Sequence, residues 1–156
     1  MKFSSREDVE APIAQVFGML SDFEVFERSA IRRGADVQRL GEHDIPHVGQ
    51  AWQAKFSYRG KERKTKIELS KYAAPTDMMF DSQSGGLLTT LTLELVALSR
   101  NRTRITVGFE IKPRTLPARL FVQSLKLAKS TLTKRFRLRV AEYARDIEER
   151  GARVDS

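Results

Sequence analysis

The hydrophobic period of this chain switches from two to 3.6 between Pro113 and Pro117, and that change restricts the fold more than any other feature. Thr103, Ile105, Val107, Phe109 and Ile111 face one way, and Arg102, Arg104, Thr106 and Glu110 the other. A period of two with one wet face belongs to an antiparallel sheet. After Pro113 and Pro117 the repeat lengthens. Phe121, Leu125, Ala128, Leu132, Phe136, Val140, Tyr143 and Ile147 step by three or four, which predicts one long helix over Leu116–Arg150. At a rise of ~1.5 Å per residue such a helix spans on the order of 45–50 Å. It is stable only if its apolar stripe lies against the sheet.

The rest of the chain supplies that sheet. Lys2–Glu10 reads as a strand, closed by Ala11-Pro12, with Pro12 suited to a first helical turn. Ile13, Val16, Phe17 and Leu20 follow at helical spacing. Ser21-Asp22-Phe23-Glu24 reads as a capping box with Ser21 as cap. It opens a second short helix with Phe23, Phe26, Ala30 and Ile31 on one face, stopped by Gly34. Strands are expected at Ala35–Gly41, Gln50–Tyr58, Arg63–Tyr72, Met78–Ser82, Leu87–Leu98 and Thr103–Ile111. Arg59–Glu62, Ala74–Asp77 and Ser84–Gly86 are the turns, and Glu42–Gly49 is a loop.

The chain has 156 residues, which fits a single domain over 1–156 that buries roughly two-thirds of its unfolded surface. It contains no cysteine, so disulfides, thiolate ligands and cysteine nucleophiles are excluded. Met1–Glu10 is too charged for a signal peptide, and no apolar run approaches the roughly 20 residues that span a bilayer. A cytoplasmic location is the expectation.

The order of elements and several segments resemble the SRPBCC (START-like, Bet v 1-like) superfamily, in particular its bacterial polyketide cyclase/dehydrase-like members. The resembling segments are DVEAPIAQVFGMLSDFEVFE, GQAWQAKFSYRGKERKTKIEL, YAAPTDMMFDSQSGG and the terminal amphipathic helix. The resemblance implies an α+β helix-grip fold. A seven-stranded curved antiparallel sheet would wrap the C-terminal helix, with two short helices between the first two strands and a cavity between sheet and helix. It implies an apolar or amphipathic ligand, such as a lipid, quinone or polyketide, and for some members cyclisation or dehydration. No cofactor is implied.

Trp52, Phe56, Tyr58, Met78, Phe80, Phe109 and Phe121 are core residues in a closed sandwich, but in a helix-grip fold they are candidate cavity lining, together with Leu125. Arg139 falls on the helical angle of Phe121, with Arg135 beside it. These guanidinium groups lie inside the apolar arc, where they would meet a ligand carboxylate or phosphate or else snorkel to water. Glu7 shares a strand face with Phe3, Ser5 and Val9. Turned into an apolar pocket, it would serve as a general acid or base. A one-residue change of register leaves it wet or paired with arginine. Tyr58 offers a hydroxyl, and His47 a loop imidazole at the pocket mouth. His43 and His47 are four apart, but Gly41, Pro46 and Gly49 argue against the helix that a metal pair needs.

The formal net charge of +8 gathers in two places. Lys61, Arg63, Lys64 and Lys66 lie on the central hairpin, and Lys126, Lys134 and Arg137 on the wet face of the last helix. Such clusters fit an anionic membrane surface or an acidic protein. An RNA- or ribosome-associated module would want aromatics on the same exposed face, whereas here they alternate to the opposite one.

Overall fold

The computed structural model describes residues 1–41 and 45–154. The elements are β1 (Lys2–Val9), α1 (Ile13–Leu20), α2 (Phe23–Arg32), β2 (Asp36–Leu40), β3 (Ala51–Tyr58), β4 (Lys61–Ala73), β5 (Asp77–Ser84), β6 (Leu87–Ser99), β7 (Arg102–Pro113), α3 (Leu116–Lys126) and α4 (Lys129–Val154). The strands form one open antiparallel sheet of seven, ordered β1-β7-β6-β5-β4-β3-β2. β1 and β2 are therefore its two edges, and the chain crosses between them through α1 and α2.

The alternation seen in the sequence sets the faces. Phe3, Ser5 and Val9 of β1, with Thr103, Ile105 and Val107 of β7, are buried, and the residues between them are less so. The same face of β3 carries Trp52 and Ala54, and β4 carries Leu69, which is wholly buried. α4 closes over this face, packing on β1 and on α1. Two polar bonds fix the corner where strand gives way to helix. Thr103 Oγ1, fully buried, donates to the Ala11 carbonyl at 2.8 Å, and the Glu10 amide donates to Glu148 Oε2 of α4 at 2.9 Å.

The β3–β4 turn contains only Arg59 and Gly60, both with positive φ (51° and 75°), which matches the right-handed twist of the flanking strands. Gly86, after β5, has another constraint. A Cβ there would sit 2.1 Å from Thr115 Oγ1, so only glycine lets the loop before α3 pass.

Two sequence expectations are corrected. The helix predicted over Leu116–Arg150 is two helices, because Leu127 and Ala128 form a turn. Neither glycine nor proline stands there. The Ala128 amide bonds back three residues to the Leu125 carbonyl, tightening the end of α3, and the two helices follow different neighbours. α3 lies against β7, while α4 follows β1 and α1. The apolar stripe continues through the break as Ala118 and Val122, then Val140, Ala144 and Ile147. Ser21 is not the cap of α2. It sits at the C-terminal end of α1 in helical conformation, and its hydroxyl donates to the Phe17 carbonyl. Asp22 takes the cap position of α2, without a side-chain capping bond.

An ion pair on the outer face of β1 and β7 gives this fold an acid-sensitive contact. Arg104 donates to both Asp8 oxygens, at 2.9 and 3.3 Å. These hydrogen bonds, reinforced by the charges of Arg104 and Arg102, hold the Asp8 carboxyl below its ordinary range against the opposing effect of desolvation. A carboxylate whose folded pKa is depressed contributes stability above its unfolded pKa of about 3.9 and loses it as pH falls through the folded value. Thermal unfolding followed from neutral pH to below pH 4 will show a falling melting temperature on the acid side. Asp8→Asn will lower the neutral plateau slightly and flatten the acid limb. An unchanged acid limb in that variant would show that Asp8 contributes nothing there.

Candidate functional site

Between the sheet and α4 the side chains do not fill the interior. They leave a cavity of about 490 Å³, far larger than the water-sized voids of a packed interior. Its floor is the inner face of the sheet: Trp52 and Ala54 of β3, Ile67 of β4, Phe80 of β5, Leu91 and Leu93 of β6, and Ile105, Val107 and Phe109 of β7. α4 forms the roof with Phe136, Val140, Ala144 and Ile147, and α2 closes one side with Phe23, Phe26 and Ala30. Leu91 and Leu93 line the space without filling it.

Aromatic contacts hold the wall in shape. Phe23 stands edge-on to Trp52 (5.2 Å between ring centres) and to Phe80 (5.8 Å). Phe3, Phe109 and Phe136 form a second group, with centres 5.9–6.5 Å apart, joining β1, β7 and α4. Tilted and edge-to-face pairs at such distances add to simple burial.

The few polar groups on this wall are placed by neighbouring elements. Glu27 of α2 accepts from Trp52 Nε1 at 2.9 Å and from Arg39 Nε of β2 at 2.7 and 3.1 Å. One carboxylate thus ties α2 to β2 and β3. The hydrogen bond to Glu27 also holds the Arg39 guanidinium above its ordinary pKa. Tyr143 of α4 packs its ring on Phe26 at 5.8 Å and brings its hydroxyl to 3.4 Å from Ser29 Oγ of α2. Ser82 and Thr89 pair with each other across β5 and β6. Arg139, one turn before Tyr143, is the only basic side chain on the wall among the described residues.

Of the residues proposed from sequence to contact a ligand, Trp52, Phe80, Phe109 and Arg139 line this cavity. The others lie elsewhere. Met78 is closed into the core with 1% of its surface exposed. Tyr58 and Phe121 meet edge-on at 6.2 Å beside the β3–β4 turn, with the Arg59 guanidinium over both rings at 5.3 and 5.4 Å. Phe56 and Leu125 are half-buried outside the lining, and Arg135 is exposed. α3 contributes nothing to the wall, which is why Phe121 and Leu125 are absent from it.

The acid–base candidates also fall outside. Glu7 does share the inner face of β1, as the alternation required, but it borders a separate polar groove at that edge with Ser5, Arg6 and Arg137. His47 is exposed, its Nδ1 lying 2.8 Å from the Ile45 carbonyl. His43 lies outside the described residues, among which no group of three or more metal-ligating side chains occurs. No described helix is long and apolar enough to cross a membrane.

Sequence reasoning missed Glu27 and undervalued Tyr143. The signal for Glu27 was present: it falls between Phe23, Phe26, Ala30 and Ile31 on the apolar arc of α2. Its partner Arg39 lies on a strand too short and exposed to show a pattern.

No family model matches the sequence, and no curated protein matches it. Solved structures do match its fold. A Thalictrum flavum norcoclaurine synthase point mutant, in complex with a transition-state analogue, is similar with a TM-score of 0.70 and 13% identity over 100% of this chain and 96% of that one. A protein from Thermus thermophilus gives 0.67 and 12% over the whole of both chains. The Zhui aromatase/cyclase from a Streptomyces species gives 0.61 and 14% over 93% of each. The chain has the helix-grip fold that these structures share.

Proposed function

We propose that this chain binds an apolar or amphipathic small molecule, of lipid, quinone or polyketide character, in the cavity between sheet and α4. The observation that carries the reading is the space itself. About 490 Å³ falls within the usual range of ligand sites, and its wall is almost wholly apolar. A void of that size would be costly to keep empty in a core, because its lining forgoes contacts that closer packing would supply. Arg139 and the Tyr143 hydroxyl provide a polar end for an amphipathic ligand.

A second reading, an enzyme of cyclase or dehydratase type, rests on Glu27 and Tyr143 as groups able to hold or move a proton at the wall. Similar folds that include a synthase and an aromatase/cyclase support it. The binder reading is preferred, because Glu27 already accepts three hydrogen bonds from Trp52 and Arg39. Glu7, Tyr58 and His47 stand outside the cavity.

The test is native mass spectrometry of the chain isolated from cell extract, before and after organic extraction. The expected result is a retained apolar mass that extraction removes and that rebinds at one equivalent. A chain that carries no added mass and takes up no fluorescent fatty-acid or aromatic probe would overturn the proposal.

A further inference from the structure

A second feature of the molecule lies on the side of α3 turned away from the sheet. α3 buries Ala118 and Val122, and the helical period places Leu116, Leu120 and Leu127 on the opposite side. These leucines are 68%, 60% and 90% exposed, and Leu138 on the outer side of α4 is 61% exposed. Single exposed leucines are ordinary, but several aligned on one helix face mark an interaction surface.

The charge around them selects the partner. From Lys112 to Ala141 the chain holds nine Lys or Arg and no Asp or Glu. Lys112 pairs with Glu110 at 3.2 Å. Arg119, Lys126, Lys129, Lys134 and Arg135 are exposed and make no ion pair within 4.0 Å among the described residues. Arg119 lies one turn from Leu116, and Lys134 one turn from Leu138. An unneutralised basic helix with an exposed leucine row has the character of segments that lie in the plane of an anionic bilayer. There the apolar side chains enter the acyl boundary while the cations meet the headgroups.

We propose that the outer face of α3 and the start of α4 dock the protein on an anionic lipid surface. Leu116, Leu120 and Leu127 enter the bilayer, and Arg119, Lys126, Lys129 and Lys134 contact its headgroups. Nucleic acid fits the charge but not the leucines, because a phosphate backbone gives exposed aliphatic side chains nothing to pack on. A second copy of the chain fits the leucines but would bring two unneutralised basic faces together.

The experiment is co-sedimentation with phosphatidylcholine vesicles, with and without phosphatidylglycerol. Anionic vesicles should bind at least about tenfold more tightly than neutral ones, and the difference should shrink as salt is raised. The triple variant Leu116→Ser, Leu120→Ser, Leu127→Ser should lose about tenfold or more of the affinity for anionic vesicles. It should keep its circular dichroism spectrum and its uptake of a cavity probe, since none of the three residues touches the core or the cavity. Equal binding to both vesicle types, or full retention of binding in the serine variant, would sink the proposal. So would a concentration-dependent dimer that the serine variant abolishes, or a preference for duplex oligonucleotides over anionic vesicles at the same ionic strength.

Discussion

Replacing Ala54 and Ala144 together by phenylalanine will weaken ligand uptake about a hundredfold while leaving the protein folded. The two alanines face the same space from opposite sides, Ala54 from β3 and Ala144 from α4. Both are nearly inaccessible to solvent, so added bulk can only project inward. In a filled core, two such additions would force neighbouring side chains off their rotamers and cost about 1–3 kcal/mol each. Here about 490 Å³ stands open, so two benzyl side chains should find room that a packed core would deny them. The overpacking falls instead on the ligand, which loses its place among the apolar walls. A clash of about 3 kcal/mol corresponds to roughly a hundredfold loss of affinity. Titration with the probe that best reports on the wild-type cavity measures that loss, and thermal unfolding measures the fold. The melting temperature should hold or rise, since filling a void restores contacts to its lining. Normal affinity in a folded double variant would place the ligand elsewhere and remove the basis of the binding proposal.

How much of this arrangement the sequence disclosed depends on how far a residue's role is set by its near neighbours in the chain. Strand alternation is local, so Trp52, Ile105, Val107 and Phe109 could be assigned to the inner face from β3 and β7 alone. Whether an inner-face residue meets a void or a neighbour depends on where α3 and α4 lie, which is not a local property. Met78 and Phe80 share a face of β5, yet Met78 is closed into the core and Phe80 opens on the cavity. Phe121 follows the helical stripe faithfully, but the break at Leu127–Ala128 carries α3 to the far end of the β3–β4 hairpin, against Tyr58. A 3.6-residue repeat specifies which side of a helix is apolar and contains no mark of a change in axis. Glu7 shows the same division. Its facing was legible from Phe3, Ser5 and Val9, but β1 is a sheet edge beneath α4, so the inward side chain reaches a polar groove and not the cavity. The Glu27 network was the least legible part, since its members come from α2, β2 and β3 and none is recognisable without the others.

That network yields the second large effect. Glu27→Ala will destabilise the fold by about 2–4 kcal/mol, because the carboxylate is the main polar link between α2 and the β2–β3 edge of the sheet, beside the longer Glu24–Arg39 pair at 3.6 Å. The indole N–H of Trp52, 5% exposed as a residue, would lose its charged acceptor, a change that typically costs about 1.5–3 kcal/mol. Arg39, with 36% of its side chain exposed, regains water, so its share is at most about 1 kcal/mol. For a domain of this size such a loss lowers the melting temperature by about 5–15 °C. Glu27→Gln keeps the acceptor oxygen for Trp52 and the shape of the side chain while removing the charge on which Arg39 depends, so it should cost less than half as much. Trp52→Phe removes the indole donor, and in that background Glu27→Ala should cost less than it does alone; the difference measures the hydrogen bond directly. The same pair of Glu27 variants separates the two functional readings. If Glu27 only braces the wall, Glu27→Gln binds the cavity probe with near-normal affinity and whatever is lost in Glu27→Ala tracks stability. If it handles a proton on a substrate, Glu27→Gln folds and binds normally but turns nothing over, and the enzyme reading then displaces the binder.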